Sequence, residues 1–262
     1  FKSEHPEYLL GDIGDRDLGK EHIERYQWAA LNFEHAEVRN HRLSYIKNNA
    51  ESHDFDGYEL DFTRFIWNFP QGREIEFSPL MTDFIKKVRS VLNDIGKNRG
   101  REYTLIVHVP DSIETSLMLG LDVEKWMSSE LVDIVVAGMG FTPYKMPIDN
   151  WKEIGSRYGI PIYTSLNTRP LFKLYRDTFR SSSAWIKYIR GVAYWWWYCN
   201  VDGIYLFKLN WDDGSEIEHT DKPKLLERTT LFEHFYDKPG FYTISGVMYR
   251  IYHGYMTTWE KF

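Results

Sequence analysis

The stretch DFDGYELDFTRFIWNF, Asp54 to Phe69, decides how the rest of the chain is read. Asp56 to Phe62 has the alternation of a β-strand and then runs into an arginine and a group of aromatics. Successive side chains of a strand leave on opposite faces, so Glu59 and Asp61 share one face and Tyr58, Leu60 and Phe62 the other. An apolar strand that turns acidic on one face toward its C-terminal end suits the interior of a (β/α) barrel, whose catalytic groups sit at that end.

Working outward, strand and helix patterns alternate. Strands are predicted at Asp56–Phe62, Tyr103–Val109, Val132–Ala137, Ile160–Ser165 and Asp202–Leu209. Between the first two, Ser78 is placed to cap a helix, with Pro79 at its first position, where a missing N–H costs nothing. Leu80, Phe84, Val88, Leu92 and Ile95 recur at helical spacing, and Gly96 is placed to end that helix. Further helices are expected at Val123–Leu131, at Trp151–Tyr158 with Asp149 as cap, and at Ala184–Tyr198. Strands alternating with helices imply βαβ units and a parallel sheet. No strand is followed by a glycine-rich phosphate loop; GMGFTP from Gly138 lacks the third glycine and reads as a plain loop. Asp-Gly recurs at Asp56 and Asp202, where it reads as turn chemistry at the strands' N-terminal ends.

The polar residues near the strands' C-terminal ends then fall into place. Thr104, Ile106 and His108 share a face, as do Tyr163, Ser165 and Asn167, and Ile204, Leu206, Lys208 and Asn210. Together they describe a mouth lined by Asp61, His108, Asn167, Lys208 and Asn210. Glu59 is deeper by two residues and is expected to pair with His108 or Lys208, because a buried charge needs a partner.

Composition bounds the function. The chain has 262 residues with 43% hydrophobic and 27% charged residues, which fits one large globular α/β domain. A net charge of −6 argues against a nucleic-acid partner, and no 18-residue apolar run spans a membrane. The single cysteine, Cys199, excludes a disulfide framework. The chain opens at Phe1 with neither a methionine nor a signal-peptide pattern, which reads as a trimmed or processed piece. Aromatics make up 17% of the residues; they fill cores and also stack on sugar faces. No histidine or cysteine spacing suggests a metal, no G-x-S-x-G elbow is present, and no cofactor is expected.

The segment DGYELDFTRF resembles an Asp-Gly-Ile-Glu-Leu-Asp-Phe-x-Arg-Phe motif of bacterial glycosyl-hydrolase-like (β/α)8 barrels, loosely related to the family-10-like glycosyl hydrolases. The likeness extends to HPEYLLGD from His5, NFEHAEVRNHRL from Asn32, LGLDVEKWMSSELVDIVV from Leu119 and DGIYLFKL from Asp202. It implies a TIM-type barrel over residues 1–221, with 222–262 a C-terminal extension. In that family the motif is a middle strand, with two or three strands upstream; here the barrel is incomplete or the sequence is a fragment. The resemblance also implies a secreted or periplasmic setting. Thr63 stands where chitinase-type barrels place their acid, so chitinase-type chemistry is rejected.

The resemblance thus implies a glycoside hydrolase acting on a polysaccharide or oligosaccharide. Such enzymes set two carboxyl groups across the scissile bond, about 5–5.5 Å apart for retention and about 6.5–9.5 Å for inversion. Asp61 is the expected nucleophile or base, and Arg64 holds its charge or binds substrate. Asp149, Asp212 and Asp213 are the candidate acids. Glu59, His108, Asn167, Arg169, Lys208 and Asn210 are expected to bind substrate. Arg169, Lys173, Arg176 and Arg180 recur at helical spacing after the fourth strand, either as a solvated helix face or as a strip for anionic sugars. Two other readings stand beside this one: a non-catalytic carbohydrate-binding barrel, and a Schiff-base enzyme using Lys208.

Overall fold

The computed structural model describes residues 1–11, 29–138, 146–167, 192–193 and 195–207. The chain forms two compact units, Phe1–Val135 with Ile154–Ile160, and Val136–Glu153 with Pro161–Phe262. Five strands, β1 (Gly57–Asp61), β2 (Thr104–Val109), β3 (Ile134–Ala137), β4 (Ile162–Asn167) and β5 (Gly203–Phe207), stand in one sheet in chain order. They match the five expected segments to within two residues at each end. Helices alternate with them: α1 (Ala36–Ser52), α2 (Glu74–Arg99), α3 (Ile113–Met118), α4 (Val123–Ser128) and α5 (Ile148–Tyr158). A parallel sheet alternating with helices is the material of a (β/α) barrel, and five of the eight strands of such a barrel stand among the described residues.

In the first unit β1 and β2 run parallel, with Glu59 opposite Ile106 and Asp61 opposite His108. The other face of the pair is packed: Leu105, Val107 and Val109 are fully buried, and Phe62 meets Trp126 of α4 at 5.7 Å between ring centroids. Trp126 is itself buried and donates its indole N–H to Thr82 of α2. Glu59 and Asp61 belong to the other face of the pair, with Ile106 and His108.

Helix α2 starts earlier and ends later than its sequence signals suggest. Ser78 is buried inside it and Pro79 lies in its interior, rather than at cap and first position. Its first turn carries Glu74 and Glu76 and its last carries Lys97 and Arg99, each complementing the helix dipole. It closes at Gly100, which adopts φ 69°, a left-handed conformation that glycine takes at little cost. Gly96 is an interior residue; a Cβ there would come within 2.6 Å of the Arg101 carbonyl. Asp149 is likewise no cap but a first-turn residue of α5. Helix α4 spans six residues, capped by Asp122, and α3 before it, capped by Ser112, was not anticipated.

Two strands are preceded by a similar latch. Before β3, Asp133 accepts the Leu105 amide of β2 at 2.6 Å and the Arg89 guanidinium of α2 at 2.6 Å. In the second unit, Asp202 before β5 accepts the Ile162 amide of β4 at 2.9 Å and the Lys152 amine of α5 at 2.8 Å. The chain bends at Asp56 and at Asp202 immediately before β1 and β5, as the Asp-Gly pairs suggested. The two glycines have no positive φ, and close approach accounts for them. A Cβ on Gly57 would lie 2.8 Å from the Thr104 carbonyl, and one on Gly203 would lie 2.6 Å from the Tyr163 ring.

In the second unit β4 and β5 pair parallel, with Tyr163, Ser165 and Asn167 opposite Gly203, Tyr205 and Phe207. Ile204 and Leu206, expected on the face of Asn167, therefore lie on the opposite one. The register that seats Gly203 beneath Tyr163 sets this phase.

Candidate functional site

The sequence places Asp61 at the last position of β1, and the chain then turns sharply. Asp61 makes that turn: its Oδ1 accepts the Thr63 amide at 2.7 Å, the Thr63 hydroxyl at 2.7 Å and the Arg64 amide at 3.3 Å. Such an Asx turn fixes the carboxylate relative to the backbone. All three bonds fall on Oδ1. Arg64 contributes its backbone N–H to Asp61.

His108, paired across the strands with Asp61, is fully buried beneath both acids. Its Nδ1 lies 3.7 Å from Glu59 Oε1 and 3.9 Å from Asp61 Oδ1. The expected Glu59–His108 pairing is thus present, at ion-pair rather than hydrogen-bond distance. The two carboxylates are each about a third exposed, at 29% for Glu59 and 33% for Asp61. Both oxygens thus face the same imidazole nitrogen.

Glu59 and Asp61 line a cavity of about 300 Å³. Its other walls come from the loop after β1, from α1, and from the segments around Lys2 and Leu31. Asn68 in that loop is buried and its carbonyl accepts the Phe33 amide at 2.8 Å, which ties the loop to the segment before α1. Tyr45, Tyr58, Phe65 and Trp67 are among the aromatic residues that line the cavity. Tyr45 and Phe65 are exposed. Two cations, Lys2 and Arg42, complete it. Of the charged residues among these the sequence singled out only the two acids, because Lys2 and Arg42 come from other segments and carry no motif. Asp111, two residues past the C-terminal end of β2, is 3% exposed and does not line the cavity.

Asp149 belongs to the second unit and is exposed. It lies near Cys199: burial pushes the Cys199 thiol up to about 11, and the Asp149 carboxylate adds to the push. Lys152, one turn on, reaches Asp202 at the N-terminal end of β5. Asn167 closes β4, and its side chain lies outside the described residues. Arg169, Lys208, Asn210, Asp212 and Asp213 lie outside them entirely, as does the basic strip from Arg169 to Arg180.

Among the described residues no group of three or more His, Cys, Asp or Glu side chains is placed to hold a metal ion. None of their helices is long and apolar enough to cross a membrane. No protein-family model matches the chain, and no curated protein matches it.

Proposed function

We propose that this chain is a glycoside hydrolase acting on a polysaccharide or oligosaccharide, with Asp61 and Glu59 as its carboxyl pair. One observation carries the reading: both acids line a single cavity with aromatic walls, and both sit against His108 Nδ1. Exposed aromatic rings suit the apolar faces of sugars. In this reading Asp61 works through Oδ2, since Oδ1 is spent on the turn. The turn holds that oxygen in place, and preorganisation of this kind lowers the cost of reaching the transition state. Glu59 takes the role of second carboxyl that the sequence had given to Asp149 or Asp212. His108, buried beneath both, positions them.

The test is release of reducing sugar from a glycan panel by the wild-type chain, Asp61→Asn and Glu59→Gln. Turnover that both variants abolish, with the fold intact, supports the assignment. Turnover unaffected by either substitution removes it. A second reading, a non-catalytic carbohydrate-binding barrel, is favoured by the Asx turn itself, which gives Asp61 a structural task. Under that reading glycans bind and none is cleaved.

A further inference from the structure

The cavity is electrically divided. Glu59 and Asp61 contribute negative charge, while Lys2 and Arg42 contribute positive charge from the N-terminal segment and α1. The cations are not spent on those acids: among the described residues Arg42 has no ion pair and no hydrogen-bond partner. Its neighbours differ. Arg39, on the same helix, donates to the Phe33 and Glu34 carbonyls, Arg73 is paired with Glu34 and Glu76, and Arg89 with Asp133. Arg42 is half-buried, yet its five donors are not committed to acceptors among the described residues. Lys2 is anchored by one bond, from its amine to the Ala29 carbonyl at 2.7 Å. Burial and the charge of Arg42 both hold the Lys2 amine below its ordinary pKa, so the two cations feel each other. An anion between them would relieve that repulsion.

Resting on the hydrolase reading above, we infer that Arg42 and Lys2 form a subsite for the acid group of a sugar, so that the substrate is an anionic glycan. Two carboxylates in a small cavity repel a negatively charged ligand, and a pair of cations is what allows one to enter. The arginine fork matches planar carboxylate and sulfate groups, and lysine adds a point charge. Exposed Tyr45 and Phe65 offer apolar faces for the ring that carries the acid. At about 300 Å³ the cavity is at the small end of ligand clefts, which suits a short glycan unit.

Calorimetric binding to the Asp61→Asn chain, which removes turnover, tests this. The probes are a tetragalacturonide, a sulfated oligosaccharide and neutral cellotetraose. An anionic probe should bind at least roughly tenfold more tightly than the neutral one at low salt. That preference should shrink as salt rises, because exposed charges are screened over about 10 Å at 0.1 M. Arg42→Gln and Lys2→Gln, each checked for folding by circular dichroism, should remove the preference and leave neutral binding unchanged. Which anionic probe wins identifies carboxylate or sulfate as the acid group. Equal binding of all probes, no binding of any, or a preference that survives both substitutions overturns the inference. The hydrolase reading fails separately: an anionic glycan held through Arg42 but never cleaved by the wild-type chain sinks the chemistry and leaves the subsite standing. Cleavage of neutral glycans, indifferent to Arg42→Gln, does the reverse.

Discussion

In the proposed reading the two oxygens of Asp61 have separate tasks, and substitution can tell them apart. Asn keeps an acceptor for Thr63 and Arg64 but removes the charge. Asp61→Asn should therefore stay folded and lose at least about a thousandfold in turnover, or about 4 kcal/mol of transition-state stabilisation. Ala removes the acceptor as well and should cost an additional 1–2 kcal/mol or so of stability in urea denaturation. A folded Asp61→Asn chain with normal turnover would move the chemistry elsewhere. Cys199 gives a second residue-scale expectation. Its folded pKa of about 11 lies above its ordinary value. The thiol thus stays protonated in the folded chain at pH values where an unfolded one ionises. Its contribution to stability is intact below about pH 8.5 and is lost as pH rises toward 11. Alkylation by iodoacetamide should be slow at pH 8 and climb toward a midpoint near 11, and Asp149→Asn should move that midpoint down. A rate already saturated at pH 9 would contradict the burial assigned to this thiol.

At the scale of elements, Gly57 and Gly203 make a matched pair. An alanine at either position meets a neighbour inside 3 Å, but the neighbours differ. At Gly57 it is the Thr104 carbonyl, part of the β2 backbone, which cannot step aside. At Gly203 it is the far end of the Tyr163 ring, which can swing. Gly57→Ala should cost about 1–3 kcal/mol and Gly203→Ala distinctly less, read from their thermal unfolding. The opposite order would mean that the Tyr163 ring is held more firmly than the β2 backbone. The strands were legible because short apolar runs, preceded by Asp-Gly at β1 and β5, are a local signal. The start of α2 was not. Ser78-Pro79 has the composition of a helix start, yet Arg73 decides where the helix begins. It pairs with Glu76 and Glu34, and its guanidinium sits 4.1 Å from the Phe77 ring centre. Glu34 lies 39 residues away in sequence, so no window along the chain contains it.

On the scale of the whole molecule, the two ends of the strands carry different duties. Asp133 and Asp202 latch a strand to its neighbour and to a preceding helix at the N-terminal end. Asp202→Asn should lower the melting temperature without changing kcat/KM on any glycan that is cleaved; a loss of turnover at unchanged stability would contradict that division. Glu59 and Asp61 were legible from the sequence because they belong to one strand. Lys2 and the α1 residues Arg42 and Tyr45 come from other segments, and only folding brings them to one cavity. The recurrence of the latch also has a bearing on descent. Because an aspartate accepts one amide and one cation before β3 and again before β5, these two strands carry their own fastening and need not borrow it from the opposite end. Lineages could therefore rework the segment beyond Asp61, trading one ligand for another, while inheritance preserved the two fastenings.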